Sequence, residues 1–229
     1  MKQYVIAGAS SGIGLELASK LLAEGHKVIG LNRQPGPLEG QSNYIHYPID
    51  FTTTELTFPA LDGALDGLVY CPGSIVLKPF RSLKEEDYLS DFRINFLGAV
   101  ALIKQYLPLL QQAQQASIVL FSTVAVQTGM AFHASIAASK GAVEGLCRSM
   151  AAEFAPKIRV NAIAPSLTQT PLAEKLLNTE QKIQGANERH PLKQLGTASE
   201  LASAAKWLLE SSWISGQVIK VDGGISSLR

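Results

Sequence analysis

Gly8-Ala9-Ser10-Ser11-Gly12-Ile13-Gly14 is the stretch that decides the fold. It lies between an apolar run, Gln3–Ala7, and a segment with helical periodicity, Ile13–Ala23. Glycines at 8, 12 and 14 permit a tight turn and close approach of a pyrophosphate to the backbone. A helix starting there offers unpaired N–H groups and positive partial charge to that anion. Any turn that needs positive φ also uses glycine, so the composition alone says little. The strand–turn–helix context makes this a phosphate-binding turn.

Further along, short and nearly continuous apolar runs alternate with helical patterns. The expected strands are Gln3–Ala7, Lys27–Leu31, Tyr44–Tyr47, Gly67–Cys71, Ser117–Ser122, Arg159–Ile163 and Gln217–Val221. Continuous apolar strands suit a parallel sheet covered on both faces. Helical periodicity lies in Ile13–Ala23, Asp91–Leu110, Ser135–Phe154 and Ala198–Leu209. The alternation predicts an α/β fold: one Rossmann-type, doubly wound parallel sheet of about seven strands with right-handed crossovers. Between Leu31 and Tyr44, two prolines and two glycines oppose a helix, which predicts an extended connection and a thinly covered face. A single domain over residues 1–229 is expected, with residues 168–197 as an insertion able to act as a substrate lid.

Composition narrows the function classes. The chain has 229 residues, 17% charged and 46% hydrophobic, enough for one well-buried core. A net charge of +1 without basic or acidic runs predicts neither a nucleic-acid groove nor a membrane patch. Cys71 and Cys147 lack CxxC spacing, so a disulfide framework or zinc site is not expected, and free thiols fit a reducing cytoplasm. No cleavable leader and no membrane-spanning segment are expected. His26, His46 and His190 lack metal-site spacing and read as surface or loop residues. Trp207, Trp213 and the stripe Leu102, Ile103, Tyr106, Leu109 and Leu110 read as packing residues.

The Gly-x-x-x-Gly-x-Gly turn, Asp50, Asn95, Ser122-Thr123, Ser139-Lys140, Arg159-Val160-Asn161-Ala162-Ile163-Ala164-Pro165 and Val221-Asp222-Gly223-Gly224 occur in an order that resembles the short-chain dehydrogenase/reductase family. The resemblance covers essentially the whole chain. It implies an oxidoreductase with a nicotinamide cofactor and a small organic substrate, and a homodimer or homotetramer built partly on the Asp91–Leu110 and Ser135–Phe154 helices. In that family the turn residues Gly8, Ser10, Ser11, Gly12, Ile13 and Gly14 would cradle the cofactor phosphates.

The second strand ends Gly30-Leu31-Asn32-Arg33. A carboxylate at position 32 would bind an adenosine ribose and repel a 2′-phosphate. Asn32 is neutral, and Arg33 is able to make charge-assisted contacts to a phosphate, so NADP(H) is expected over NAD(H). The alternative for Arg33 is a solvated surface arginine. By resemblance Asp50 would meet the adenine amino group; alternatively it is a cap or turn residue. The segment after the fourth strand reads Tyr70-Cys71-Pro72-Gly73 where the family often has Asn-Asn-Ala-Gly. Gly73 preserves close approach to the cofactor, Pro72 removes an N–H, and Cys71 reads as a structural thiol.

Carbonyl reduction needs a hydride and a proton, and the family takes the proton from a tyrosine four residues before a lysine. In this chain Lys140 matches the lysine, Asn95 the asparagine of the water relay and Thr123 the substrate-positioning serine. Ile136 stands in the tyrosine slot and has no proton to give. Three replacements are open. His133, seven residues before Lys140, sits where the enoyl-reductase branch carries its tyrosine, and imidazole is a suitable general acid. Ser135 adjoins the slot but is turned about 100° from residue 136 on a helix, and it also suits an N-cap. Substrate or water supplies the proton in the third case. On the substrate side, Pro165, Ser166 and Thr168 end a strand where doubly wound sheets place ligands and would border the cofactor; Thr168 and Thr170 would meet its nicotinamide or phosphates, or else serve as turn and helix-capping hydroxyls before Pro171. Leu172, Leu176, Leu177 and Ile183 favour a partly apolar substrate. The expectation is an NADP(H)-dependent oxidoreductase acting on a small carbonyl or enone with a divergent proton donor. The alternative is an NADP(H)-binding sensor or scaffold without turnover.

Overall fold

The computed structural model describes residues 1–228. Seven parallel strands form one sheet: β1 (Gln3–Ala7), β2 (Lys27–Asn32), β3 (Tyr44–Pro48), β4 (Gly67–Tyr70), β5 (Ala116–Phe121), β6 (Ile158–Pro165) and β9 (Val218–Val221). Their spatial order is β3-β2-β1-β4-β5-β6-β9. A second, two-stranded parallel sheet pairs β7 (Thr168–Gln169) with β8 (Gly196–Thr197). The helices are α1 (Gly12–Ala23), α2 (Glu85–Phe92), α3 (Gly98–Gln112), α4 (Ala125–Thr128), α5 (Ala134–Phe154), α6 (Glu180–Arg189) and α7 (Ala198–Glu210).

Alternation along the strands builds a core on each face of the sheet. On β1, Val5 and Ala7 join Leu102 and Tyr106 of α3 and Val143 of α5 on one side. Tyr4 and Ile6 join Leu17 and Leu21 of α1 and Leu208 of α7 on the other. Each fully buried leucine contributes about 1.5–3 kcal/mol in transfer free energy. The sheet reverses its winding between β1 and β4, so a crevice opens beyond their carboxyl ends, between Gly8 and Gly73.

The helix expected from Asp91 begins earlier, at Glu85, and is not uniform. The Lys84 N–H donates to Asp87 Oδ2 at 3.0 Å at its start. Residues Arg93–Leu97 then form a π-helical turn before α3. That turn frees the Ile94 carbonyl, which accepts from the Tyr70 hydroxyl at 2.6 Å. Gly98 makes room for the phenol, since a Cβ there would collide with Tyr70 Oη. Single π turns inside helices often mark functional sites, and this one carries the buried Asn95.

The connection from β2 to β3 has no α-helix, only the short 3₁₀ turn Gly36–Leu38, and β3 is only partly covered. Of the stripe, Leu102, Ile103, Tyr106 and Leu110 are buried, and Leu109 is half-buried. The tryptophans correct the sequence reading. Trp213, in the loop after α7, is 98% exposed, and Trp207, on α7, is about half exposed. Among the described residues no helix is long and apolar enough to cross a membrane, and no group of His, Cys, Asp and Glu could hold a metal ion.

Candidate active site

Gly8 (φ 79°) and Gly12 (φ 54°) adopt the left-handed backbone that their turn requires. The Gly8 N–H donates to Leu31 O at 2.9 Å and the Ala9 N–H to Asn32 Oδ1 at 3.2 Å. Hydrogen bonding resumes where the Leu15 N–H donates to Ser11 O. Between them, the N–H groups of Ser10, Ser11, Gly12, Ile13 and Gly14 donate to no protein acceptor among the described residues. Gly14 lets α1 press against the turn, since a Cβ there would collide with Gly8 O. This cradle of free donors at a helix N-terminus fits a pyrophosphate.

Around the turn, Asn32 is buried, and its amide Nδ2 donates to Gln34 O, so its side chain is occupied by the protein. Arg33 is exposed beside it. Asp50 accepts from the Thr52 N–H at 2.9 Å and the Thr52 hydroxyl at 2.7 Å, which hold its carboxyl below the usual range. Both bonds use Oδ1, the geometry of the turn residue that its sequence context offered beside an adenine contact.

Beyond β1 and β4 lies a cavity of about 860 Å³. Gly73, Asn95, Thr123, Ile136, Lys140 and Ser166 all line it, brought there by the segments just after β4, β5 and β6, the π turn and α5. Lys140 is buried and its Nζ donates to Phe121 O at 2.8 Å. Desolvation pushes its pKa down to about 8, against the opposing pull of Cys71 and Asp91. Gly73 keeps the backbone open, because a Cβ there would lie 3.0 Å from Asn95 Oδ1 and 3.9 Å from Lys140 Nζ. Asn95 Nδ2 donates to Asp91 O at 2.9 Å and to Ser74 Oγ at 3.0 Å. Thr123 Oγ1 accepts the Ala125 N–H at 3.3 Å.

Ile136 is almost fully buried at the cavity wall and presents no polar atom. Ser135 points away, its hydroxyl donating to Asp87 O at 3.3 Å. The residue at the N-cap of α5 is His133, not Ser135. His133 lines the cavity and its Nδ1 lies 2.7 Å from Ala131 O, so that nitrogen carries the hydrogen and Nε2 is the one left for other partners. Burial pushes the Cys71 thiol up to about 12, which suits a structural role.

On the substrate side the cavity is bounded by Pro165, Ser166, Thr168 and Thr170. Thr168 is buried and donates to Ser166 O at 3.0 Å, while Thr170 donates to Thr168 O at 3.4 Å. The segment between β7 and β8 holds the 3₁₀ helix Pro171–Leu176 and α6, and Leu172 and Leu176 reach the cavity. His190 corrects the sequence reading. It is buried, with Nδ1 2.7 Å from Ala186 O and Nε2 2.8 Å from Ser166 Oγ. Nδ1 therefore carries the hydrogen, and Nε2 accepts from Ser166. A lone histidine gives no sequence signal for such a partner 24 residues away. His46 Nε2 lies 2.8 Å from Asn32 O, and the His26 ring packs on Tyr4 at 5.5 Å.

Asp91 and Ser74 were not singled out by their sequence context. Asp91 is fully buried; its Oδ1 accepts from the Ser74 hydroxyl at 2.6 Å and its Oδ2 has no hydrogen-bond partner among the described residues. Its signal was present as a carboxylate four residues before Asn95 on the inward helix face. Ser122 likewise donates to the buried Glu144 Oε1 at 2.8 Å behind the site.

The chain is similar to known proteins over nearly its full length. A family model described as "Enoyl-(Acyl carrier protein) reductase" matches residues 50–226. L-xylulose reductase from Bos taurus is 30% identical, over 97% of this chain and 96% of its own. Carbonyl reductase family member 4 from Danio rerio is 33% identical over 98% of both. The solved structure of ElxO with NADP bound superposes with a TM-score of 0.87 at 26% identity, covering 99% of each chain.

Proposed function

This chain belongs to the short-chain dehydrogenase/reductase family, and on that premise we propose that it uses NADP(H) to reduce a small, partly apolar carbonyl or enone compound. The observation that carries the reading is the meeting of Lys140, Asn95, Thr123 and Gly73 around one largely apolar cavity that adjoins the free N–H groups of the glycine turn. When bound in reduced form, a nicotinamide supplies hydride. The chain's own residues do the rest. Ser10 to Gly14 bind the phosphates, Gly73 admits the ring, and Pro165, Ser166 and Thr168 border its far side. Lys140 holds the ribose hydroxyls. Thr123 donates to the substrate oxygen, and the leucines of residues 168–197 exclude water.

The exposed Arg33 supports a 2′-phosphate, as does the absence of a carboxylate at position 32. Asp50 stays available to the adenine through its outer oxygen. His133 offers Nε2 toward the cavity as a proton source. Titration of the purified protein with NADPH and NADH tests the reading. Selective NADPH binding followed by oxidation of NADPH with ketones, enals or enones is the expected outcome. Failure to bind either nucleotide counts against it.

One observation favours a second reading. Ile136 puts a methylated wall where the family has its acid, so a sensor or scaffold that binds NADP(H) without turnover also fits. NADPH binding without oxidation by any carbonyl, coupled to a change in assembly, would select that alternative.

A further inference from the structure

The cavity beyond β1 and β4 has cations in its wall and no anion to balance them. Among the described residues no Asp or Glu lines it, whereas Lys140, Lys182 and Arg189 do. Lys140 is buried, donates to Phe121 O, and is committed to the cofactor ribose in the reading above. The other two stand on α6, inside the segment clasped between β7 and β8. Neither takes part in an ion pair among the described residues. Seven residues apart, they lie two turns along one face of the helix. Between them the wall is made by Gly185 and Ala186, and a Cβ at Gly185 would meet nothing within 4 Å, so the surface is open there.

Helix stability does not account for Lys182. It is the third residue of α6, in the turn where the macrodipole disfavours a cation. Its Nζ donates to Asn178 Oδ1 at 2.8 Å and to Lys175 O at 3.4 Å, neutral acceptors that fix the ammonium without cancelling its charge. Arg189, in the last turn, suits the dipole and lines the cavity as well. The cofactor's anions have other partners on the same reading: the free N–H groups of the glycine turn for the pyrophosphate and Arg33 for the 2′-phosphate. Other parts of the cavity wall are apolar, with Leu77, Phe132, Leu172 and Leu176 among them. A ligand complementary to such a wall has an apolar body and one negative group.

We propose that the substrate is an anion, a carbonyl compound bearing a carboxylate or phosphate on an apolar chain, and that Lys182 and Arg189 hold that group from the lid. The inference deepens the reading of this cavity as the substrate site of a reductase and rests on it. A guanidinium and an ammonium on one helix face give charge-assisted hydrogen bonds to a multi-oxygen anion, and the apolar wall takes the chain. Binding the anion also draws α6 toward the ligand, so the same contact that selects the substrate favours closure over it.

The test uses the purified protein saturated with NADP⁺ and three unreactive probes of one chain length: octanoate, octyl phosphate and octanamide. Calorimetric titration at low salt is expected to show octanoate or octyl phosphate binding about tenfold or more tightly than octanamide, the advantage shrinking as salt is raised. The tighter of the two anions identifies the substrate's charged group. Lys182→Gln combined with Arg189→Gln is expected to abolish the preference, and Lys182→Arg alone to keep most of it. Equal binding of all three probes overturns the proposal, as does a preference that survives the double substitution. A loss of NADPH affinity in the double variant as large as the loss for the anionic probe assigns the two cations to the cofactor and overturns it too. In turnover, the ratio of kcat/KM for a keto acid over that for its amide is expected to fall about tenfold in the double variant. Absence of turnover on every carbonyl defeats the reductase reading instead, while the probe titrations still report directly on the anion site.

Discussion

Asn32 Oδ1 accepts the Ala9 N–H at 3.2 Å while its Nδ2 donates to Gln34 O, so one buried amide joins the end of β2 to the phosphate-binding turn. The residue that elsewhere would select a ribose here holds the turn in shape. Asn32→Ala strands a buried N–H, which costs about 1–3 kcal/mol. Urea unfolding is expected to show that loss, together with weaker binding of both NADPH and NADH.

Arg33 is expected to act only on the 2′-phosphate. Arg33→Ser should weaken NADPH by about tenfold or more, the worth of one charge-assisted hydrogen bond, and leave NADH within about twofold. Calorimetric titration of both nucleotides checks this. Equal losses for the two would remove Arg33 from cofactor selection.

Ile136→Tyr places a phenol four residues before Lys140, on the same helix face and at the cavity wall. Ketone reduction is expected to rise by about 10²-fold, the lower range for a positioned general acid. Steady-state rates on a panel of ketones measure it. No gain on any of them means that the cavity no longer presents a carbonyl to this position.

Cys71 should resist alkylation despite its place by the cavity. Its thiol is raised to about 12, so at neutral pH almost none is thiolate. Because the thiolate is the reactive form, labelling should accelerate about tenfold per pH unit until the thiol titrates or the fold gives way. Iodoacetamide mass spectrometry over that range gives the profile, and rapid labelling at neutral pH would contradict it.

His190→Ala removes the acceptor for Ser166 and the donor to Ala186 O, a loss of about 1–3 kcal/mol. The effect should appear as a lower Tm and as a higher KM for substrate, because the same histidine ties the end of α6 to β6. An unchanged KM would confine His190 to stability.

The sheet was legible because parallel strands are apolar on both faces, and runs such as Val28–Leu31 and Ser117–Phe121 announce themselves. The phosphate turn was legible because glycine spacing and a following helix carry one physical meaning. The polar network behind Lys140 was not. Asp91 reads as the polar start of a helix, and its partner Ser74 is brought to it from the loop after β4 by tertiary packing rather than by spacing. His190 was hidden for the same reason: its partner Ser166 is brought to it by tertiary packing, not by spacing. Trp207 and Trp213 were misread in the opposite sense, since the bulk of a ring does not by itself bury it.

The two-rung pairing of Thr168–Gln169 with Gly196–Thr197 has a consequence for how this protein can change. It clasps the roots of the intervening segment side by side, so that 26 residues, 170–195, leave and return at one place on the edge of the molecule. Length and composition inside that clasp can drift without shifting the register of any strand in the main sheet. On the proposed reading of this segment as the substrate lid, its exposed stretches can be exchanged while the phosphate-binding turn and the His190–Ser166 tie are inherited intact.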